Sequence, residues 1–157
     1  MGIEQLPPGW LLILGALLIP LLRGRMKAIW LLAVPAAGLV QLVFFVPEGS
    51  GMVASIFEYD LVLVRVDSLA RVWGVIFHIA AFIAAIYSLH LEDDVQQVAA
   101  FLYAGSAIGA VFAGDWITLF VYWELTAITS VWLVWASGTE RAIRSGMRYL
   151  VVQVGSG

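Results

Sequence analysis

The chain has 157 residues, of which 62% are hydrophobic and only 12% are charged, and its mean hydropathy is +0.98. These values lie outside the range of soluble globular domains, so we expect the surplus apolar surface to face lipid. A net charge of −3 gives no support for a nucleic-acid partner. The lack of cysteine excludes disulfides, thiolate metal sites and iron–sulfur ligation within this chain.

Apolar runs predict about six transmembrane helices, because most of them approach the roughly 20 residues that cross a bilayer core. The predicted helices cover residues 8–22, 28–46, 69–90, 98–113 and 116–136, and a sixth begins near Arg141. Helices satisfy their own backbone hydrogen bonds, which favours a helical bundle over open sheet in lipid. The predicted fold class is therefore an all-α membrane protein, with a single transmembrane helical domain over residues 1–157.

Two features interrupt this pattern. Pro35 lies inside the second predicted helix and is expected to kink it, either as a simple packing feature or as a hinge. Residues 47–67 form the longest segment between predicted helices, and residues 53–66 within it are rich in Val, Leu and other strand-favouring residues. We expect a short external β-hairpin between the second and third helices.

Basic residues in the short turns predict the orientation of the bundle. The side shared by the first-to-second and fifth-to-sixth turns carries Arg23, Arg25, Lys27, Arg141, Arg144 and Arg148. The opposite side carries only Arg65 and Arg71, so the N-terminus is expected outside the cell. The turn between the third and fourth helices does not fit this pattern, because residues 92–94 are all acidic and no Lys or Arg accompanies them.

Glu124 is the only formally charged residue of the fifth predicted helix and lies about 12 Å along the helix axis from Trp116. A carboxylate at that depth costs about 2.5–3.5 kcal/mol even on the lenient insertion scale, so by default it marks a proton or ion path. Its neighbours one turn away are all apolar: Phe120, Val121, Ala127 and Ile128. A partner must therefore come from another helix. A protonated structural carboxyl group is the alternative.

His78 lies near the middle of the third predicted helix and is a second candidate for proton transfer, because imidazole titrates near neutral pH. A buried histidine satisfied by one hydrogen bond is an equally good interpretation. Haem ligation is disfavoured, since His90 is the only other histidine and lies on the same helix.

Polar residues elsewhere give weaker candidates. Arg144 and Arg148 are one turn apart at the start of the sixth helix, where they are either interfacial anchors or a cytoplasmic entrance to a proton path. Four further side chains of the fifth helix could line water, although the threonines among them usually bond their own backbone: Thr118, Tyr122, Thr126 and Thr129.

Three stretches together suggest a family. Residues 67–73 read DSLARVW, residues 115–130 read DWITLFVYWELTAITS, and residues 148–150 read RYL ahead of Gly155 and Ser156. With these stretches the chain resembles the antiporter-like subunits of respiratory complex I, of Mrp-type cation/proton antiporters (subunits A and D) and of membrane-bound hydrogenases. Residues 115–130, with Trp-Glu-Leu at their centre, are the most specific part of the resemblance.

The resemblance implies a proton-translocating subunit of a multisubunit complex in a bacterial or archaeal cell membrane. Its partners would be other membrane subunits, the lipid bilayer and protons, with sodium ions as a second transported species. It implies no cofactor and no chemistry of the chain's own, and leaves open an NADH–quinone oxidoreductase-like pump or a cation/proton antiporter. Glu124 would modulate a buried lysine on a seventh helix, which this sequence does not contain.

Members of that family have about fourteen helices, so we expect this chain to be the N-terminal part of such a subunit or one half of a split subunit. Two other functions compete with proton translocation. A structural membrane scaffold predicts that changing Glu124 leaves transport intact. A quinone or haem redox subunit predicts an activity that depends on His78.

Overall fold

The computed structural model describes residues 6–56, 59–91 and 93–156, and this part of the chain forms six α-helices and one two-stranded sheet. The helices are α1 (Trp10–Leu18), α2 (Gly24–Val40), α3 (Ser68–Ser88), α4 (Asp94–Phe112), α5 (Trp116–Trp135) and α6 (Glu140–Ser156). The strands are β1 (Gly51–Ile56) and β2 (Tyr59–Arg65). A 3₁₀ turn (Ile19–Leu21) continues α1, and a π-helix (Gln41–Phe45) continues α2.

Four of the described helices are long and apolar enough to cross a membrane: α2 with its π-helical continuation, α3, α4 and α5. The apolar helix Trp10–Leu21 is shorter and extends only about 18 Å at 1.5 Å per residue. The first half of α6 carries Glu140, Arg141, Arg144 and Arg148. The prediction of six helices is confirmed, whereas spanning length is found in four of them.

Aspartate side chains fix where three of the helices begin. Asp67 accepts a hydrogen bond from the Ala70 amide at the start of α3, and Asp93 and Asp115 cap α4 and α5 in the same way. A side-chain oxygen at this position satisfies one of the amides that a helix leaves without an internal partner. The acidic turn therefore starts α4 at Asp94, and the predicted start at residue 98 was about one turn too late.

Asp115 shows how strongly one of these caps is held. Its carboxylate accepts hydrogen bonds from the amide (2.8 Å) and the hydroxyl group (3.0 Å) of Thr118. Burial would raise the pKa of this carboxyl group, but the bonds from Thr118 and two further backbone amides outweigh burial and lower it. The ionised form is therefore the form that the folded chain prefers.

Asp115→Ala is expected to destabilise the fold by about 1 kcal/mol through loss of the cap. Because the folded-state pKa of Asp115 is lowered, its contribution is complete above about pH 4 and is lost as the pH falls through the lower folded value. Unfolding in detergent as a function of pH measures both effects. Asp115→Asn is the matched control, since asparagine still caps a helix but cannot titrate. An unchanged acid dependence in that variant would contradict the assignment.

The centre of the bundle is α4, which packs against α1, α3 and α5, while α2 packs on α3 and α6 on α5. The buried core brings together apolar side chains from several helices: Leu12, Ile19, Leu31, Leu42, Ile108 and Phe112. Close approach of α4 and α5 depends on Gly109, because a β-carbon there would lie 2.4 Å from the Tyr122 ring. Tyr122 in turn accepts a hydrogen bond from Trp10 Nε1 at 2.8 Å, which ties α1 to α5.

The two strands pair antiparallel and carry a bulge between Met52 and Val53. The sheet rests on the turn between α4 and α5, where the Gly114 amide donates to the Val62 carbonyl oxygen at 3.0 Å. The predicted β-hairpin is confirmed in its two strands, and its connecting residues 57–58 lie outside the described residues. The hairpin therefore covers one end of the bundle.

The opposite end of the bundle holds the turns α1–α2, α3–α4 and α5–α6, and we call it the basic end. There the Lys27 ammonium group of α2 is paired with the Asp94 carboxylate at the start of α4. α2 also begins earlier than predicted, at Gly24 rather than residue 28, so Lys27 lies in its first turn. Asp94 thus neutralises one basic residue at this end of the bundle.

Candidate proton-transfer site

Glu124 lies in the middle of α5, about 12 Å from one end of the helix and about 16 Å from the other. The residue is half-buried, and its Oε1 atom is buried without a hydrogen-bond partner among the described residues. No described Lys, Arg or His forms an ion pair with it. Within the described residues Glu124 is therefore a carboxyl group with one buried, unpartnered oxygen.

The helix face that carries Glu124 is directed towards α6. Ala127 and Val131 follow on the same face and are buried. Trp135, also on this face, packs against Gly146 of α6, since a β-carbon added to Gly146 would lie only 2.4 Å from the Trp135 Nε1 atom. Ser130 Oγ donates to the Ala127 carbonyl oxygen at 2.7 Å, so the Tyr149 hydroxyl group of α6, 3.1 Å away, donates to Ser130 Oγ. These contacts make the two helices antiparallel neighbours.

That register also predicts what lies beside Glu124. Counting back from the Ser130–Tyr149 contact places half-buried Gln153 within about one turn of the level of Glu124. Gln153 is a neutral amide and would offer a hydrogen bond rather than a charge. Glu124 thus lies on the α5–α6 side of the bundle, at the edge of the described helices.

The three threonines of α5 are satisfied locally. The hydroxyl group of Thr126 donates to the Tyr122 carbonyl oxygen, and that of Thr129 donates to the Leu125 carbonyl oxygen, both at 2.8 Å. Thr118 belongs to the Asp115 cap. These side chains use their hydrogen-bonding capacity within the helix, so they do not form a polar row that leads to Glu124.

His78 is completely buried in α3. Its Nδ1 atom lies 2.7 Å from the Gly74 carbonyl oxygen, which can only accept, so Nδ1 carries the hydrogen and donates. Nε2 then carries the lone pair of a neutral imidazole and has no hydrogen-bond partner among the described residues. His78 therefore fits the interpretation of a histidine held by one hydrogen bond, with a second nitrogen left free.

The structure does not bring His78 and Glu124 together. Among the described residues α3 and α5 make no contact, because α4 lies between them. His78 also faces away from α5, towards Gly38 of α2 and Leu12 of α1. A direct proton transfer between the two residues is not possible in this arrangement.

Arg144 and Arg148 are both exposed on the first half of α6. Arg144 Nη1 lies 4.0 Å from the Glu140 carboxylate one turn earlier, an exposed pair that contributes little to stability. Both arginines belong to the basic end of the bundle, as predicted. Along the antiparallel pair of α5 and α6, neither lies at the level of Glu124. A position at the basic end suits both interpretations given to them.

Two buried glutamines lie inside the apolar stretches of the sequence and were not predicted as functional residues. Gln97 of α4 is 2% exposed and donates from Nε2 to the Ser88 and Leu91 carbonyl oxygens at the end of α3. Gln41 is equally buried and donates to the Leu6 carbonyl oxygen at 2.8 Å. Their isolation within apolar runs was the only available signal, and it did not indicate which carbonyl groups they bind.

An apolar groove of about 390 Å³ lies between α3, α4 and α5 and is lined largely by alanines, among them Ala80, Ala84, Ala100 and Ala104. Neither Glu124 nor His78 lines this groove. Within residues 6–56, 59–91 and 93–156, no three His, Asp or Glu side chains are grouped as metal ligands. The described site is therefore a single carboxyl group in an apolar helix.

No protein-family model, no curated protein and no solved structure matches this chain.

Proposed function

We propose that this chain is a proton-translocating, antiporter-like membrane subunit of a multisubunit ion-transport complex, and that Glu124 is its protonatable residue within the membrane. The observation that carries the proposal is the buried Oε1 atom of Glu124, which lies in the middle of a long apolar helix and has no hydrogen-bond partner within the part of the chain that the structure describes. An unpaired carboxylate at this depth is costly, so the group is either neutral there or paired with a group from outside the described helices.

The membrane setting of this proposal is supported by four helices of spanning length and by the charge distribution at the two ends of the bundle. The basic end would face the cytoplasm of a bacterial or archaeal cell, since Lys and Arg of short loops concentrate on that side. The hairpin and the N-terminus would then lie outside. Pairing of Lys27 with Asp94 leaves Arg23, Arg25 and the α6 arginines as the main topological signal.

A cationic partner for Glu124 would come from another membrane subunit or another helix. The exposed position of the α5–α6 side supports this, because Phe120, Val121 and Ile128 around Glu124 are between 45% and 58% exposed in the described chain. A lysine placed there would interact electrostatically with Glu124. The charge state of each group would then alter the proton affinity of the other. Protons would be the transported species, with sodium ions as the candidate for the opposing gradient.

Infrared difference spectroscopy on native membrane vesicles tests whether Glu124 takes up and releases a proton during transport. A carboxyl group with an unpaired oxygen gives a C=O stretch at higher frequency than a hydrogen-bonded one. We expect such a band to change when a proton gradient is imposed, and to be absent in Glu124→Gln. A carboxyl signal that is the same in both proteins would overturn the proposal and favour the scaffold function.

A further inference from the structure

The packing around His78 leaves its free nitrogen against the backbone of a neighbouring helix. A β-carbon on Gly38 of α2 would lie 2.7 Å from His78 Nε2 and 3.3 Å from a Leu12 methyl group. This distance is shorter than real β-carbon contacts, so glycine is required for α2 to approach the imidazole this closely. The edge of the ring that carries the lone pair therefore closes the α2–α3 interface.

Protonation of His78 would disturb this contact. A second N–H group would appear at Nε2, where the described residues provide no acceptor. A buried donor without a partner, on a ring that is now charged, is strongly unfavourable. The closed interface therefore selects the neutral ring, and the charged ring favours separation of α2 from α3.

The facing part of α2 is the part of that helix where the backbone is least regular. Pro35 lies three residues before Gly38 and removes the amide that would bond the Leu31 carbonyl oxygen. The π-helix Gln41–Phe45 begins three residues after Gly38. Wide turns of this kind are common at functional positions and bends.

Arg71 of α3 stabilises the π-helix from the side by donating to the Val43 carbonyl oxygen at 2.6 Å. Residues 35–45 thus lack one helix hydrogen bond, at Pro35, and receive one hydrogen bond from α3, at Val43.

Among the residues that the structure describes, no charged group on the helices around His78 is placed to compensate a charged imidazole. On α2 the charged residues are Arg25 and Lys27, about 16 Å or more away along the helix. On α3 the nearest is Arg71, two turns before His78, and α4 offers only Asp94, which pairs with Lys27 at the basic end. The helix Trp10–Leu21 has none. The response of this interface to pH would therefore depend on His78 itself.

We propose that His78 and Gly38 form a pH-sensitive latch between α2 and α3, which is closed by the neutral imidazole and opened by its protonation through movement of residues 35–45. The latch is a separate device from Glu124, and its test does not depend on proton transport.

Spin-label distances in lipid nanodiscs test the movement. Because the chain has no cysteine, labels can be placed on two exposed positions, Val40→Cys on α2 and Ile79→Cys on α3. We expect the mean distance to increase by about 1–2 Å or more on acidification, between about pH 8 and about pH 5. A label pair on Tyr103→Cys and Ile128→Cys, on α4 and α5, is the control and should not change.

Three variants separate the latch from a general effect of acid. His78→Gln cannot titrate and should keep the distance independent of pH. Gly38→Ala should separate the helices at every pH, because its β-carbon collides with the imidazole. His90→Gln should behave as wild type, and it leaves His78 as the only histidine, so that ¹⁵N NMR reports its protonation directly.

A distance that stays constant while His78 becomes protonated would overturn the latch. The same conclusion follows if His78 stays neutral over the whole pH range, or if the acid-induced separation persists in His78→Gln.

Discussion

Glu124→Gln is expected to lower proton flux by about 100-fold or more, which is the lower range for removing a positioned proton-transfer group. The amide has nearly the same shape as the carboxyl group, so packing of α5 against α6 should be preserved. It cannot bind and release a proton, however. The measurement is proton and sodium flux in native membrane vesicles, compared at equal amounts of assembled protein.

The controls for this measurement are two carboxyl variants. Glu48→Gln makes the same chemical change at an exposed position outside the predicted spans and should leave flux unchanged. Glu124→Asp keeps a titratable group but withdraws it by one methylene, so flux should be partly retained. Full flux in Glu124→Gln with normal assembly would show that Glu124 is not part of the mechanism. The scaffold function would then be favoured.

Gly109→Ala is expected to destabilise the bundle by about 1–2 kcal/mol. A β-carbon at this position would lie 2.4 Å from the Tyr122 ring, and overpacking of this kind costs about 1–3 kcal/mol. Displacement of the ring would also weaken the Trp10–Tyr122 hydrogen bond, worth about 1 kcal/mol. The better helix propensity of alanine, about 1 kcal/mol, offsets only part of this loss.

The control for Gly109 is Gly155→Ala in α6, where a new β-carbon would meet nothing within 4 Å. This variant should be neutral or stabilised by up to about 1 kcal/mol, since only helix propensity changes. Unfolding of both variants in detergent micelles gives the comparison. Equal stability of Gly109→Ala and wild type would show that α4 and α5 are not packed as closely as described.

Sequence patterns located the helices well where a local signal marks both ends. α5 was predicted over residues 116–136 and is observed at Trp116–Trp135, because Asp115 supplies a cap and the polar residues 137–141 end the apolar run. The first two helices were predicted less well. Basic residues were expected to lie between them, but α2 starts at Gly24, and Lys27 of its first turn pairs with Asp94, 67 positions later in the chain.

For the candidate site, too, some features follow from local sequence signals and others from contacts between distant residues. The depth of Glu124 and its lack of a partner on its own helix follow from spacing along α5 alone. The position of His78 in α3 was equally evident, but spacing could not show that Gly38 touches its Nε2 atom or that α4 separates it from Glu124. Those facts depend on which helix faces meet, and small residues at helix crossings give little sequence signal.

By itself, the sequence therefore determined the helical class, the hairpin, the basic and acidic turns and the isolated carboxyl group, because hydropathy, capping and charge act within a few residues along the chain. Only the tertiary structure decided that Lys27 pairs with Asp94, that Tyr122 packs on Gly109 and that His78 closes the α2–α3 interface. These contacts join residues that are far apart in the chain, and they form only when complementary helix surfaces pack together.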